Sequence, residues 1–109
     1  MQERRLRERI PLKLDIELLR EDGWRRIEHS RNLSMGGVEL CSTSPLSLGE
    51  KLRLRFCINE TSDFPPLEVS GVIVRVAPLE ETFCVGVQFE NLQSDASIFL
   101  YRMIQYHKT

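Results

Sequence analysis

Long hydrophobic runs are missing from this chain of 109 residues. No apolar stretch approaches the roughly 18 residues that a membrane-spanning helix needs, so we expect no membrane insertion. The N-terminus is charged and lacks the apolar segment that a secretory signal carries, which predicts a cytoplasmic protein. The length suits one domain, residues 1–109, with enough chain to bury a hydrophobic core.

Cysteine and histidine are also scarce. Cys41, Cys57 and Cys84 are odd in number and far apart, with no CxxC pair and no histidine beside them. Neither a disulfide framework nor a zinc site is indicated by that spacing. Ser34 has no histidine and carboxylate partners in a recognisable spacing, so no catalytic constellation is visible. We therefore predict that the protein is not an enzyme and that it holds no metal and no cofactor.

A large excess of charge of one sign is absent too, since the net charge is −1. The charge is nevertheless uneven, because residues 1–9 contain four arginines against two glutamates. A short cationic arm on a mildly acidic body suits capture of a small anion better than tracking along nucleic acid, which needs many distributed phosphate contacts. Aromatic residues make up only 7% of the chain, which also argues against a surface that stacks single-stranded nucleic acid.

Alternating apolar and polar residues indicate β-strands over most of the chain. Asp22 and Gly23 mark a hairpin turn after the first strand, and Asn32 to Gly37 is predicted to be a loop. In the fifth strand the inward face switches parity near Gly71, which predicts a bulge there. The predicted strands are residues 12–18, 24–31, 38–43, 52–58, 67–76 and 83–89.

A helix is predicted at the C-terminal end, over residues 94–107. Ser94 or Asp95 can cap it, and the apolar residues that follow fall on one face at helical spacing. An open antiparallel sheet would leave exposed edges, whereas closing it into a barrel removes them. The predicted fold is therefore all-β, a six-stranded antiparallel β-barrel over residues 10–90 with a C-terminal α-helix.

Two short motifs carry the functional signal. Arg5 and Arg9 stand four residues apart directly before Ile10, and the segment 32–37 reads Asn-Leu-Ser-Met-Gly-Gly. Taken singly, the first motif is more typical of a solvated helical turn and the second of an ordinary turn. In this order and at this separation, they resemble the RxxxR and (D/N)xSxxG signatures of the PilZ domain family. Members of that family bind the bacterial second messenger cyclic di-GMP.

The resemblance implies a binding site for cyclic di-GMP. Arginine suits this ligand because its planar fork pairs with guanine edges or phosphate oxygens and also stacks on purines. Asn32 would read a guanine edge, Ser34 would donate its hydroxyl to the ligand, and Gly37 would leave room for close approach. Arg4 would support a second, stacked ligand molecule, or else remain a solvated charge. The implied binding residues are Arg4, Arg5, Arg9, Asn32, Ser34, Gly36 and Gly37.

The expected function is that of a non-enzymatic receptor, which passes the ligand signal to an unidentified effector protein. Residues 1–9 contain little apolar surface, so we expect this arm to order only on the ligand. Two other functions stay open: a PilZ-like adaptor that binds no nucleotide, and a small barrel that binds single-stranded nucleic acid. Arg53, Arg55 and Arg75 on outward strand faces could border the ligand or a partner, although solvated faces are the simpler interpretation.

Overall fold

The computed structural model describes residues 10–11, 14–20, 23–27, 29–43, 46–57 and 67–108. The arm at residues 1–9, with Arg4, Arg5 and Arg9, therefore lies outside the described residues. The strands are β1 (Ile10–Pro11), β2 (Asp15–Arg20), β3 (Gly23–Ile27), β4 (His29–Leu33), β5 (Gly37–Ser42), β6 (Lys51–Cys57), β7 (Leu67–Leu79) and β8 (Thr82–Glu90), and the helix is α1 (Ser94–Lys108).

The strands form one antiparallel sheet in the order β1-β4-β5-β8-β7-β6-β2-β3. The first hairpin of the chain contains the strands from both ends of this order, because β1 and β2 lie in one of its arms and β3 and β4 in the other. Its arms pair in a single register, from Ile10 opposite Leu33 to Arg20 opposite Gly23. Because β2 also pairs with β6, and β4 also pairs with β5, both ends of the sheet meet in this hairpin. The sheet is thus closed into a barrel.

The strand count differs from the sequence prediction, since the described residues form eight strands and not six. The difference arises because each arm of the first hairpin is divided, into β1 and β2 on one side and β3 and β4 on the other. Near the division the Ser30 hydroxyl replaces a backbone partner: the Leu14 amide donates to Ser30 Oγ at 2.8 Å. The Ser30 amide in turn donates to the Leu14 carbonyl at 2.9 Å. The all-β class with a C-terminal helix is confirmed.

The core lies inside the barrel, and the predicted alternation is confirmed where it falls on described residues. Apolar side chains of β2, β6 and β8 point inward, and the rings of Phe56 and Phe89 meet edge to face with centroids 6.1 Å apart. Burial of these side chains is the main stabilising term for such a domain. The fully buried apolar side chains include Ile16, Leu18, Leu33, Val38, Leu40, Leu54, Phe56, Ile73, Val85 and Leu100.

The inward face of β7 does switch, but not at Gly71, so this part of the prediction is wrong. Gly71 stays in register opposite Phe89, and Ile73 is buried on the same face. The register shifts between Ile73 and Arg75, where Val74 is the extra residue and is 52% exposed. The bulge places Val74 and Arg75 next to each other on the outer surface.

Helix α1 confirms the predicted helix and runs one residue further, to Lys108. Leu100, Met103 and Ile104 are buried on the face that the sequence predicts. The helix packs against β1 and β7. No helix within the described ranges is long and apolar enough to cross a membrane.

Candidate functional site

The second motif occupies the hairpin between β4 and β5. The sequence predicts a loop from Asn32 to Gly37, but Asn32 lies within β4 opposite Glu39, and Gly37 begins β5. The loop is shorter than predicted because the β4–β5 ladder continues through Asn32 and the residue after it. Only residues 34–36 remain outside the strands.

Ser34 holds this hairpin together. Its side chain is buried, and its amide and its hydroxyl both donate to the Gly37 carbonyl, at 2.9 and 3.3 Å. The Gly36 amide donates to Ser34 Oγ at 3.3 Å. The hydroxyl therefore fixes the turn that follows Asn32, and its donation to a ligand stays a prediction.

Gly37 is explained by strand packing. A Cβ atom at this position would lie 2.2 Å from the Val87 carbonyl oxygen, a distance that no side chain tolerates. The absence of a side chain lets β5 approach β8 at the base of the hairpin, where the Phe89 amide donates to the Gly36 carbonyl at 2.9 Å. Whether Gly36 and Gly37 also allow close approach of a ligand stays a prediction.

A bulge in β4 turns two polar residues to the outside of the barrel. The pairing of β4 with β5 shifts register between Ser30 and Asn32. Ser30 and Leu33 are buried, whereas Arg31 is exposed and Asn32 is partly exposed. An extra residue in a strand redirects side chains in this way. The bulge therefore places Arg31 beside Asn32 on one outer surface.

Asn32 begins a row of residues that crosses four strands. Opposite it stands Glu39 of β5, then Gly86 of β8, then Arg75 of β7. Because Gly86 has no side chain, the Arg75 side chain lies across it and pairs with the Glu39 carboxylate. The Arg75 Nε atom is 3.6 Å from the position that a Cβ of residue 86 would occupy. Arg31 Nη1 lies 3.8 Å from the other carboxylate oxygen of Glu39. The row thus joins the motif to two arginines.

Arg31, Glu39, Arg75 and Cys84 form what we call the Glu39 cluster. Burial alone would raise the pKa of the Glu39 carboxyl, but the hydrogen bond from the Cys84 thiol and the charges of both arginines outweigh it. The pKa of Glu39 is therefore lowered, and the carboxylate is ionised at neutral pH. Burial, followed by the nearby Glu39 carboxylate, raises the pKa of the Cys84 thiol.

The cluster presents forked donors and planar guanidinium faces to solvent. The side chains of Arg31 and Arg75 are 45% and 58% exposed, whereas that of Glu39 is only 15% exposed. Such a surface can pair with phosphate oxygens and stack on a purine base. Sequence reasoning placed Arg75 on an outward face but missed Arg31 and Glu39 as site residues. The one sequence feature that could have indicated Arg31 is its position directly before Asn32 of the motif.

The other outward arginines are engaged elsewhere. Arg53 pairs with Glu68 at 3.2 Å. Arg55 pairs with Glu17 at 2.7 Å, and its guanidinium stacks over the Trp24 ring with 4.3 Å to the centroid. These residues belong to β2, β3, β6 and β7 and stabilise that side of the barrel. Of the three arginines singled out in the sequence, only Arg75 lies in the row of Asn32.

Other candidate sites on the described surface are weaker. A recess of ≈ 430 Å³ lies beside β6, β7 and the end of β8, and Lys51, Arg53, Glu90 and Asn91 are among the residues that line it. We call it the β6–β7 recess. None of the residues that line it belongs to the two sequence motifs, so it is the weaker candidate. In the described part of the chain, no group of three or more His, Cys, Asp or Glu side chains is arranged to hold a metal ion.

The family model described as the PilZ domain matches residues 3–106. The chain belongs to the PilZ domain family. The resemblance inferred from the two motifs is therefore confirmed. In this PilZ domain the (D/N)xSxxG residues lie on the β4–β5 hairpin, next to the Glu39 cluster, and the RxxxR residues precede the described part.

Solved structures share the fold of this PilZ domain. The inhibitor of motility MotI/DgrA of Bacillus subtilis superposes with a TM-score of 0.74 at 23% identity, over 92% of this chain and 48% of that chain. YcgR of Escherichia coli, in complex with cyclic di-GMP, superposes with a TM-score of 0.73 at 14% identity, over 93% of this chain and 44% of that chain. The PilZ domain of YcgR with cyclic di-GMP superposes with a TM-score of 0.70 at 14% identity, over 91% of this chain and 87% of that chain.

The chain spans about half the length of MotI and of the longer YcgR structure. At these identities the likeness shows the fold alone. No curated protein matches the chain in sequence.

Proposed function

We propose that this PilZ domain is a receptor for cyclic di-GMP, which it binds on the outer face of β4, β5, β8 and β7. One observation carries the proposal: Asn32 of the (D/N)xSxxG motif shares a row with Glu39 and Arg75. The motif thereby adjoins two exposed arginines on a surface of the right chemistry. Proteins of the same fold, such as YcgR, have been solved with cyclic di-GMP bound.

The chemistry of the ligand matches this surface. Cyclic di-GMP carries two guanine bases and two phosphates in one compact anion, so it needs several forked donors. In the proposed complex Arg5 and Arg9 of the arm clamp the ligand from above, and Arg31 and Arg75 meet it from the barrel. Asn32 pairs with a guanine edge, and the carboxylate of Glu39 accepts from a guanine amino group.

The remaining motif residues shape the site. Ser34 holds the hairpin that positions Asn32, and its single hydroxyl proton donates to the ligand only by turning away from the Gly37 carbonyl. Gly36 and Gly37 keep this edge free of side chains. Arg4 supplies a further forked cation, which two stacked ligand molecules would need because their phosphates crowd together.

We further propose that the domain signals without catalysis. Residues 1–9 fold onto the bound ligand and form a new surface with the barrel, which an effector protein recognises. The protein acts in the cytoplasm, needs no cofactor, and uses neither nucleic acid nor membrane insertion. The support for the ordering of the arm is its composition and its place directly before β1.

Isothermal titration calorimetry tests the proposal. Purified protein should bind cyclic di-GMP and should bind GMP, GTP and cyclic AMP at least about 100-fold more weakly, because only a ligand with two linked guanines reaches both motifs. The same titration measures whether one or two ligands bind, and Arg4→Ala should reduce two to one. Absence of binding to cyclic di-GMP would leave an adaptor that recognises a protein partner alone.

A further inference from the structure

Cys41 of β5 and Cys84 of β8 stand directly opposite each other in the sheet. Whether this pair is a hydrogen-bonded or a non-hydrogen-bonded pair follows from the hydrogen bonds of the β5–β8 ladder. The Phe89 amide bonds the Gly36 carbonyl in the same register, and bonded and non-bonded pairs alternate along an antiparallel ladder. Cys41 lies an odd number of residues beyond Gly36, so Cys41 and Cys84 form a non-hydrogen-bonded pair.

That kind of pair suits a disulfide. Its Cα atoms are typically about 4.5 Å apart, and its side chains leave the sheet on the same face and close together. Disulfides span Cα distances of roughly 4.4–6.8 Å. Both cysteines are free thiols in the structure, and they are 8% and 9% exposed. A bond between them would need no change of strand register.

We infer that Cys41 and Cys84 are a redox-active pair that forms a reversible cross-strand disulfide with a hydroperoxide as oxidant. Each sulfur loses its proton and the two sulfurs join. The two electrons that leave them break the O–O bond, and hydrogen peroxide becomes two molecules of water. A dithiol reductant returns both thiols by exchange.

The surroundings of the pair favour this reaction over competing ones. With so little exposed surface, both cysteines admit a small peroxide more readily than a second protein chain. A sulfenic acid on either cysteine would face the other thiol directly across the ladder. Cys84 also contacts Arg31, with Nη1 3.7 Å from its Sγ, and its thiol donates to Glu39. Oxidation removes that donor, so it changes the Glu39 cluster.

Formation of this disulfide is independent of the proposed nucleotide binding. Nothing in the sequence pairs these two cysteines, because 42 other residues separate them and three cysteines allow three pairings. The sheet selects one pairing. Cys57 ends β6 opposite Asp15, in a strand that neighbours neither β5 nor β8.

Peptide mapping of the 109-residue chain tests the inference. The folded protein is treated with hydrogen peroxide, remaining thiols are alkylated, and trypsin separates the three cysteines because Lys51, Arg55 and Arg75 lie between them. We expect peptides 32–51 and 76–102 to be joined, with a loss of two hydrogens that dithiothreitol reverses, and Cys57 to be alkylated. A link to Cys57, a link between chains, or sulfinic acid without a link would overturn it.

Matched serine variants complete the test. Cys57→Ser should form the same linked peptides as the wild type, in the same yield. Cys41→Ser and Cys84→Ser should each lose the link and form no disulfide between chains under peroxide. An intramolecular link that persists in either of these two variants would contradict the inference, as would its loss in Cys57→Ser. If a variant fails to fold, the peptide map of the wild-type protein still tests the inference.

Discussion

Arg5→Ala and Arg9→Ala should each weaken binding of cyclic di-GMP by about 2 kcal/mol or more, a loss of roughly 30-fold in affinity. Each change removes a charged, forked donor from a desolvated contact with phosphate or guanine. Lysine should not restore affinity at either position, because it supplies a point charge without the fork. Titration calorimetry on the purified variants measures both effects.

Arg53→Ala is the matched control for these variants. Arg53 is an exposed arginine that pairs with Glu68, away from the row of Asn32. Its removal should leave the affinity within about 0.5 kcal/mol of the wild type, since a surface ion pair contributes little. Unchanged affinity in both arm variants, or an equal loss in the control, would refute the assignment of the arm to the ligand.

Gly37→Ala should lower the free energy of unfolding by about 3 kcal/mol, because the new Cβ would meet the Val87 carbonyl oxygen at 2.2 Å. To relieve this contact, β5 must move away from β8 at the base of the motif hairpin. The hydrogen bond between the Phe89 amide and the Gly36 carbonyl would then be strained as well. Urea unfolding followed by circular dichroism measures the change.

Gly86→Ala is the control in the same pair of strands. A Cβ at residue 86 would lie 3.4 Å from the Cβ of Arg75, which is close to ordinary contact. We expect it to cost less than about 1 kcal/mol. Equal unfolding midpoints for Gly37→Ala and the wild type would show that the glycine of the motif is not required by strand packing.

Much of the fold could be predicted from alternation alone. Where apolar residues recur at every second position, as from Leu52 to Phe56 or from Val85 to Phe89, one face is buried and the strand is evident. The helix was predictable for the same reason, at its own period. The closed barrel was predicted because an open sheet of these strands would leave exposed edges, and the family resemblance implied the same architecture. These features depend on local patterns, which the sequence displays directly.

Register and bulges were not predictable in this way. The register shifts at Val74 and Arg31 depend on which residues of the neighbouring strands lie opposite them. Pairing between distant segments of the chain decides this register. The sequence therefore identified Asn32 but could not show that Glu39 and Arg75 share its row. The opposition of Cys41 and Cys84 was hidden for the same reason.

The most direct test of the central claim is amide hydrogen exchange with and without cyclic di-GMP. The ligand should slow exchange in residues 1–9 and in the hairpin at residues 30–39, while β6 at residues 51–57 stays equally protected in both states. That pattern would place the ligand between the arm and the face of Asn32 and Glu39. Protection confined to the β6–β7 recess, or an arm that is as protected as β6 before ligand is added, would contradict it.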